Sequence, residues 1–441
     1  MTALATEVRP RSGFVRRMLD GHGWLGLAFA ALIYLICLTG AVAVFAPELR
    51  QWEQPAPRVQ TLTDAALTQV AAEAAARARA EGVTEAIQIF PPDEWTSRLG
   101  VRWVHRDGRD VRWYADSAGR LVQRAHTPWT DFVAGLHADL RLPGPWGEYV
   151  VGLIGVALLA SIVSGVLAHP RILRDAFHLR LGGDKRVQDA DVHNRIGVWA
   201  LPFHFVVTLT GAFLGLAGLI VTGLAFAAYG GDTGRAVEAV LGPQAAVTGR
   251  PAPLPDFAAI RARVLDMTAG AEPRFIVVER FGTTGQLTQY DAAAPGHLAA
   301  AERYFFDAQD RFLRTAGGAD GPVGMQLYAA VTPLHFGTFG GLAVKAAYLL
   351  LGLGLCWVTS TGVTIWLARR RARGRPAPGW ERAWTAVVWG QPAALAISAV
   401  LAIGWSFDPL LAWSAATLAT FAICAVAPTW RMLNRRSPTM P

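Results

Sequence analysis

Histidine is the side chain that binds metal ions and carries protons near neutral pH. Six of them stand at or just inside the edges of apolar, membrane-length segments: His22, His137, His169, His193, His204 and His335. An ionisable ring in hydrocarbon is costly unless it has a partner, so this number points to a buried cofactor or a proton path. The three cysteines, Cys37, Cys356 and Cys424, all fall in apolar segments, and neither CxxC nor CxxCH occurs. Neither a disulfide framework nor a covalently attached c-type haem is expected. A membrane route for bare metal ions normally adds carboxylates or thiolates. The first four apolar spans hold no Asp or Glu beyond Glu148 at the edge of one, which favours haem.

These residues need a scaffold, and composition names its class. Of 441 residues, 52% are hydrophobic and only 17% charged, which implies a polytopic membrane protein. The net charge of +8 is explained by basic residues at span ends, so no nucleic-acid partner is expected; the lipid bilayer is. Apolar runs long enough to cross about 30 Å of hydrocarbon predict about six helices. The expected order is a cytoplasmic N-terminus and first helix (1–46), an outer domain (47–147), a helix (148–168), a cytoplasmic loop (169–195) and a helix (196–228). It continues with a second outer domain (229–338), a helix (339–367), a loop (368–383), two helices within 384–428, and a tail (429–441). The first apolar run, Trp24 to Phe45 behind Arg16 and Arg17, is too long for a signal-peptide core and is expected to be retained.

Basic residues set the orientation. Arg9, Arg11, Arg16 and Arg17 precede the first helix; Arg171, Arg174, Arg180, Lys185 and Arg186 separate the second and third. Arg369, Arg370, Arg371, Arg373 and Arg375 follow the fourth, and Arg431, Arg435 and Arg436 the sixth. An even number of helices separates each cluster from the next, so all four are placed in the cytoplasm by the positive-inside rule, with both termini inside. The long polar segments then lie outside. Each reads as a helix (63–81; 256–268) followed by alternating strands (99–105 and 110–114; 275–280 and 287–290), which predicts two small α+β domains.

An internal repeat orders the histidines. His22 is followed by Gly26 and Thr39-Gly40; His193 is followed at the same spacings by Gly197 and Thr210-Gly211. Gly155 and Ser164-Gly165 likewise match Gly352 and Thr361-Gly362, and His137 and His335 fall at corresponding places, one residue out of register. Two parallel copies of the unit helix, outer domain, helix would be related by a pseudo-twofold axis along the membrane normal. His22 would face His193 near the inner surface and His137 would face His335 near the outer one, which suits bis-histidine ligation of one haem at each level. On a continuous third helix, His193 and His204 lie within about 20° of one face and about 16 Å apart, so His204 is a second ligand level or a proton-carrying neighbour. The small pairs allow close helix approach or room for a flat macrocycle.

Plainer roles stand beside these. His22 and His193 could be interfacial anchors. His137 and His335 could bond loop carbonyls, and His169 could cap the second helix. His105, His126, His178 and His297 read as ordinary surface residues. Trp24, Trp146, Trp199, Trp357 and Trp366 read as a lipid-facing belt.

The stretches HGWLGLAFAALIYLICLTG (His22–Gly40), GLHADLRLPGPWGEYVVGLIG (Gly135–Gly155), SGVLAHPR (Ser164–Arg171), DVHNRIGVWALPFHFVVTLTG (Asp191–Gly211) and LHFGTFGGLAVKAAYLLLGL (Leu334–Leu353) resemble the PepSY-associated transmembrane family. Within it they are similar to haem-containing siderophore-iron reductases of bacterial inner membranes, over about residues 15–370. The resemblance implies two PepSY-like periplasmic domains and b-type haems; with the repeat, two haems are expected, held by His137, His335, His22 and His193, with His169 and His204 able to replace an inner member. It implies a membrane reductase that passes electrons to Fe(III) in a siderophore or other chelate. No GxGxxG opens a helix after a strand, so a quinol or a separate cytoplasmic reductase is the expected donor. The competing classes are a PepSY binding or regulatory protein without redox activity and a metal or siderophore transporter. The last two helices, after about residue 380, map onto nothing in the shared core.

Overall fold

The computed structural model describes residues 13–93, 95–169, 185–242, 244–245, 249–268, 270–299 and 301–426. Arg9, Arg11, Arg171, Arg174, His178, Arg180, Arg431, Arg435 and Arg436 lie outside the described residues. In chain order the elements are α1 (Gly13–Ala28), α2 (Ala30–Ala43), α3 (Ala46–Glu53), α4 (Asp64–Ala80), β1 (Ala86–Phe90), β2 (Leu99–Val104), β3 (Asp110–Ala115), β4 (Leu121–Arg124), α5 (Pro128–Ala138), α6 (Trp146–Leu167), α7 (Lys185–Trp199) and α8 (Leu201–Gly215). Then follow α9 (Ala217–Ala228), α10 (Thr233–Leu241), α11 (Phe257–Met267), β5 (Pro273–Glu279), β6 (Leu287–Ala293), β7 (Ala301–Phe306), β8 (Phe312–Thr315), α12 (Val323–Phe336), α13 (Gly341–Ala372), α14 (Pro378–Trp405) and α15 (Pro409–Val426). They divide into a helical unit, made of the segments up to Val44, Asp131–Leu216 and from Ala346 onward, and a sheet-bearing unit of Phe45–Thr130 and Ala217–Lys345.

Among the described residues α6, α13, α14 and α15 are long and apolar enough to cross a membrane, and the count reaches six if the pairs α1/α2 and α7/α8 are each one broken span. Those pairs correct the expectation of straight first and third helices. They are bent by 68° and 67°. The breaks fall at Phe29 (φ −111, ψ 6) and Ala200 (φ −93, ψ 6), both in the sparsely allowed bridge region and separated by the same spacing as His22 and His193. Pro202 in the first turn of α8 suits one break, because it has no amide to carry the helical ladder back to the Val198 carbonyl. Ala31 stands at the matching place in the first copy, which bends as much without a proline. The bend therefore belongs to the repeat, and the same-face placement of His193 and His204 on one straight helix does not hold.

Within the helical unit, copies of one contact recur. A β-carbon at Gly155 would stand 3.1 Å from the Ala212 Cα, and one at Gly352 would stand 3.2 Å from the Ala41 Cβ, so glycine brings α6 onto α8 and α13 onto α2. The hairpin α14–α15 breaks this symmetry by covering the first copy: the Tyr34 hydroxyl donates to the Val388 carbonyl (2.9 Å), and Phe132 meets Trp413 at 6.0 Å between ring centres. The repeat counterpart of Tyr34, which is 6% exposed, is Phe205, which is 40% exposed. Trp24, Trp146, Trp199 and Trp357 are exposed; Trp366 is partly buried, with the Arg370 guanidinium 5.2 Å from its ring centre.

The sheet-bearing unit corrects the expectation of two separate small domains. Its two halves form one eight-stranded antiparallel sheet of order β4-β3-β2-β1-β5-β6-β7-β8, joined where β1 pairs with β5. Ile87, Ile89, Ile276 and Val278 at this seam are fully buried. Each half is a helix followed by a four-stranded meander. In α4 the Thr63 side chain caps the Ala66 amide, and the buried face is almost all alanine with Leu67 and Val70, which lets the helix lie close to the strands. In α11 the Asp256 carboxylate caps the Ala258 and Ala259 amides. The β3–β4 and β7–β8 turns are copies as well: Asp116 accepts from the Ala118 and Arg120 amides, and Asp307 from the Gln309 and Arg311 amides. Arg261 of α11 joins the halves through Asp64 (2.8 Å) and Glu272 (2.8 Å).

One strand residue makes this unit sensitive to pH. Burial pushes the Asp291 carboxyl up to about 7, against the opposing pull of the Gln289 amide and Arg303. The folded chain thus holds a proton there between the unfolded value of about 4 and 7, so stability falls as pH rises through that window. Asp291→Asn is expected to flatten the fall in thermal midpoint between pH 4 and 7. An unchanged slope would show that Asp291 is ionised throughout.

Candidate functional site

The two bent-off segments carry one histidine each, and the helical unit brings them together. His22 of α1 and His193 of α7 stand with ring centres 6.4 Å apart and planes at 76°. The His22 Nδ1 lies 2.8 Å from the Ser161 carbonyl of α6 and 3.1 Å from the Ser161 hydroxyl. His193 hydrogen-bonds the Val358 carbonyl of α13, and its Nδ1 lies 3.0 Å from the Thr361 hydroxyl. Ser161 and Val358 each precede the small-residue pair by three positions, so the two rings are anchored at repeat-equivalent carbonyls. A ring whose Nδ1 faces a carbonyl keeps its proton there and presents the lone pair of Nε2. The Nε2 atoms of His22 and His193 have no hydrogen-bond partner among the described residues.

That donor set fits an axially ligated haem. Two imidazoles bonded at about 2 Å to opposite sides of one metal ion have ring centres about 6 Å apart. Among the described residues no three or more His, Cys, Asp or Glu side chains gather as a metal site. The small pairs flagged in the sequence make room for the rings themselves. A β-carbon on Gly165 would stand 3.0 Å from the His22 Nδ1, and one on Gly362 would stand 3.4 Å from the His193 Cε1.

His137 of α5 has the same posture. Its Nδ1 lies 2.9 Å from the Ile36 carbonyl of α2, and a β-carbon on Gly40 would stand 2.6 Å from its Cε1. His335 sits in the last turn of α12, in the sheet-bearing unit, with its ring edge-on to Phe336. His204 is 2% exposed and engages through the other nitrogen: its Nε2 lies 3.3 Å from the Leu351 carbonyl. That bond occupies the atom a ligand would need, so His204 is a satisfied histidine of the α8–α13 contact. The His169 Nδ1 lies 3.0 Å from the Gly165 carbonyl and caps the end of α6. Of the four histidines expected at the surface, His105 is instead held under Glu81 (2.9 Å) and Arg109, and His297 pairs with Asp320 (3.0 Å).

This arrangement extends over the region matched by the family described as the PepSY-associated TM region, residues 19–369. The chain belongs to that family. An uncharacterized protein of Pseudomonas aeruginosa is 30% identical to this PepSY-associated protein over 254 residues, 55% of the chain and 64% of the relative. The chain thus spans less than two thirds of that relative's length. The match ends just before the end of α13, so α14 and α15 lie beyond the family region.

One further charged site escaped sequence reading. In this PepSY-associated protein Lys345, early in α13, is 1% exposed; its Nζ lies 2.6 Å from the Glu48 carboxylate and 3.9 Å from the Trp95 ring centre. The other Glu48 oxygen is buried without a partner. A lysine inside an apolar run was the available signal.

The glycines under the rings give a graded test. Gly40→Ala is expected to cost about 1–3 kcal/mol by overpacking against His137, whereas Gly362→Ala, with ordinary contact distance, should be neutral within about 0.5 kcal/mol. Equal thermal midpoints for the two variants would show that the His137 ring does not rest on Gly40.

Proposed function

We propose that this PepSY-associated protein is a haem b oxidoreductase of the bacterial inner membrane that passes electrons across the bilayer to reduce Fe(III), held by a siderophore or another chelate, on the periplasmic side. The observation that supports this reading is the facing pair His22 and His193, with the His22 Nδ1 on the Ser161 carbonyl and the His193 Nδ1 on the Thr361 hydroxyl, which leaves the two Nε2 atoms for a metal. When bound, haem b supplies a one-electron carrier inside the low-dielectric span. The chain's part is to hold it: the Ser161 and Val358 carbonyls fix the tautomer and plane of the two rings, and the glycines beneath admit them at close range. His137, anchored in the same way on Ile36, is assigned to the second haem. Fe(II) binds hard oxygen chelators more weakly than Fe(III), so reduction releases the metal.

The placement follows from charge. Arg16 and Arg17 before the first span, and Arg369, Arg370, Arg371 and Arg373 at the end of α13, support a cytoplasmic position for those ends and a periplasmic one for the sheet-bearing unit. A quinol or a separate cytoplasmic reductase supplies the electrons. The test is an absorption spectrum of the purified protein, oxidised and dithionite-reduced, followed by addition of a ferric chelate. A Soret band that shifts on reduction and reverts with the chelate is expected. A colourless protein would leave a PepSY binding or regulatory role, and substrate flux without redox change would leave a transporter.

A further inference from the structure

Serine and threonine in apolar helices commonly bond back to the carbonyl four residues earlier, and by itself that bond carries no function. In the helical unit the hydroxyls of the repeated small pairs do more. Thr39 Oγ1 donates between the Leu35 (2.8 Å) and Ile36 (3.1 Å) carbonyls. Ser164 Oγ does so between Ala160 (2.7 Å) and Ser161 (3.0 Å), and Thr361 Oγ1 between Trp357 (2.9 Å) and Val358 (3.1 Å). In all three the nearer carbonyl in sequence, Ile36, Ser161 or Val358, is the one that accepts from a histidine: His137, His22 or His193. Thr210, in the fourth pair, bonds the Val206 (2.7 Å) and Val207 (3.2 Å) carbonyls in the same manner.

We propose that Thr39, Ser164 and Thr361 are positioning residues that set the electron-donating power of the histidines, an inference that rests on the haem assignment above. A carbonyl oxygen has two lone pairs, and a helical one already receives the amide four residues on. A hydroxyl that shares the same oxygen takes acceptor capacity from the imidazole N–H. The ring then stays closer to a neutral ligand. Without the hydroxyl, the N–H to carbonyl bond strengthens and the ring becomes more basic, which favours oxidised iron. Thr361 also acts directly: its hydroxyl proton goes to the helix carbonyls, so its oxygen accepts the His193 Nδ1 proton at 3.0 Å.

The experiment is a spectroscopic redox titration of the full-length protein with Thr361→Val, Thr361→Ser, Ser164→Ala and, as control, Thr222→Val, whose hydroxyl bonds back to the Gly218 carbonyl (2.8 Å) away from any of these histidines. Ser164→Ala is expected to lower the midpoint potential of one haem and Thr361→Val to shift it, with Thr361→Ser and Thr222→Val at the wild-type value. Haem loss in Thr361→Val with retention in Thr361→Ser also supports the role. Full haem content with unshifted potentials in both hydroxyl-free variants overturns it, as does equal haem loss in Thr361→Val and Thr361→Ser. If the wild-type protein has no Soret band, the haem assignment fails by itself. The hydroxyl effect is then read from imidazole 15N NMR, where an Nδ1 resonance of His193 unmoved by Thr361→Val overturns it.

Discussion

On the proposed haem assignment, replacing either His22 or His193 by alanine is expected to remove roughly half of the haem from the purified protein, since each would hold the same iron. The double variant should lose no more than either single one, because the second ring has nothing left to hold. His204→Ala and His169→Ala should keep full haem content, since the first engages Leu351 through the atom a ligand needs and the second caps α6. Haem per chain, measured from the pyridine haemochrome, decides among these. Full occupancy in His22→Ala, or loss in His204→Ala matching that in His193→Ala, would overturn the pairing.

The second large effect lies at Lys345. A buried ion pair that loses one partner leaves the other charge stranded, at a cost of about 3–5 kcal/mol when that charge stays buried. The pair is lopsided: the lysine side chain is 1% exposed and the glutamate 34%. Glu48→Leu therefore strands an ammonium with no route to water and should approach the full cost. Lys345→Met leaves a carboxylate on a side chain that is one-third exposed although its second oxygen is buried, and should cost less, about 2–3 kcal/mol, partly the lost contact with the Trp95 ring. Joining the two substitutions should recover most of the loss. Thermal unfolding of the three variants tests the order, and a Lys345→Met variant less stable than Glu48→Leu would refute it.

Much of the helical unit was legible because its signals are local. Membrane-length apolar runs mark α6, α13, α14 and α15, and equal spacings from His22 and His193 to their Thr-Gly pairs exposed the duplication before any contact was known. The meeting of those two rings follows from that symmetry. The bends at Phe29 and Ala200 were hidden, since Phe29 and Ala31 carry no helix-breaking signal and the bend is set by packing. Half of the strands escaped notice: β4 and β8 are four residues each, too short for alternation to register. The joining of β1 to β5 was out of reach because two buried strand edges from distant segments look, in sequence, like two separate domains. The orientation of each imidazole was also beyond sequence, which gives the residue but not which nitrogen meets a carbonyl. That distinction separates His193 from His204.

The β1–β5 seam also governs the order in which the chain can be made. β1 leaves the ribosome roughly 190 residues ahead of the strand it must pair with, and α6, α7 and α8 are synthesised in between. Through that interval the first meander has an open edge carrying Ile87 and Ile89, the kind of unpaired apolar strand that other chains can capture. Biogenesis of the sheet-bearing unit thus leaves a half-finished sheet unpaired while α5 to α11 are produced, until β5 arrives to close the edge.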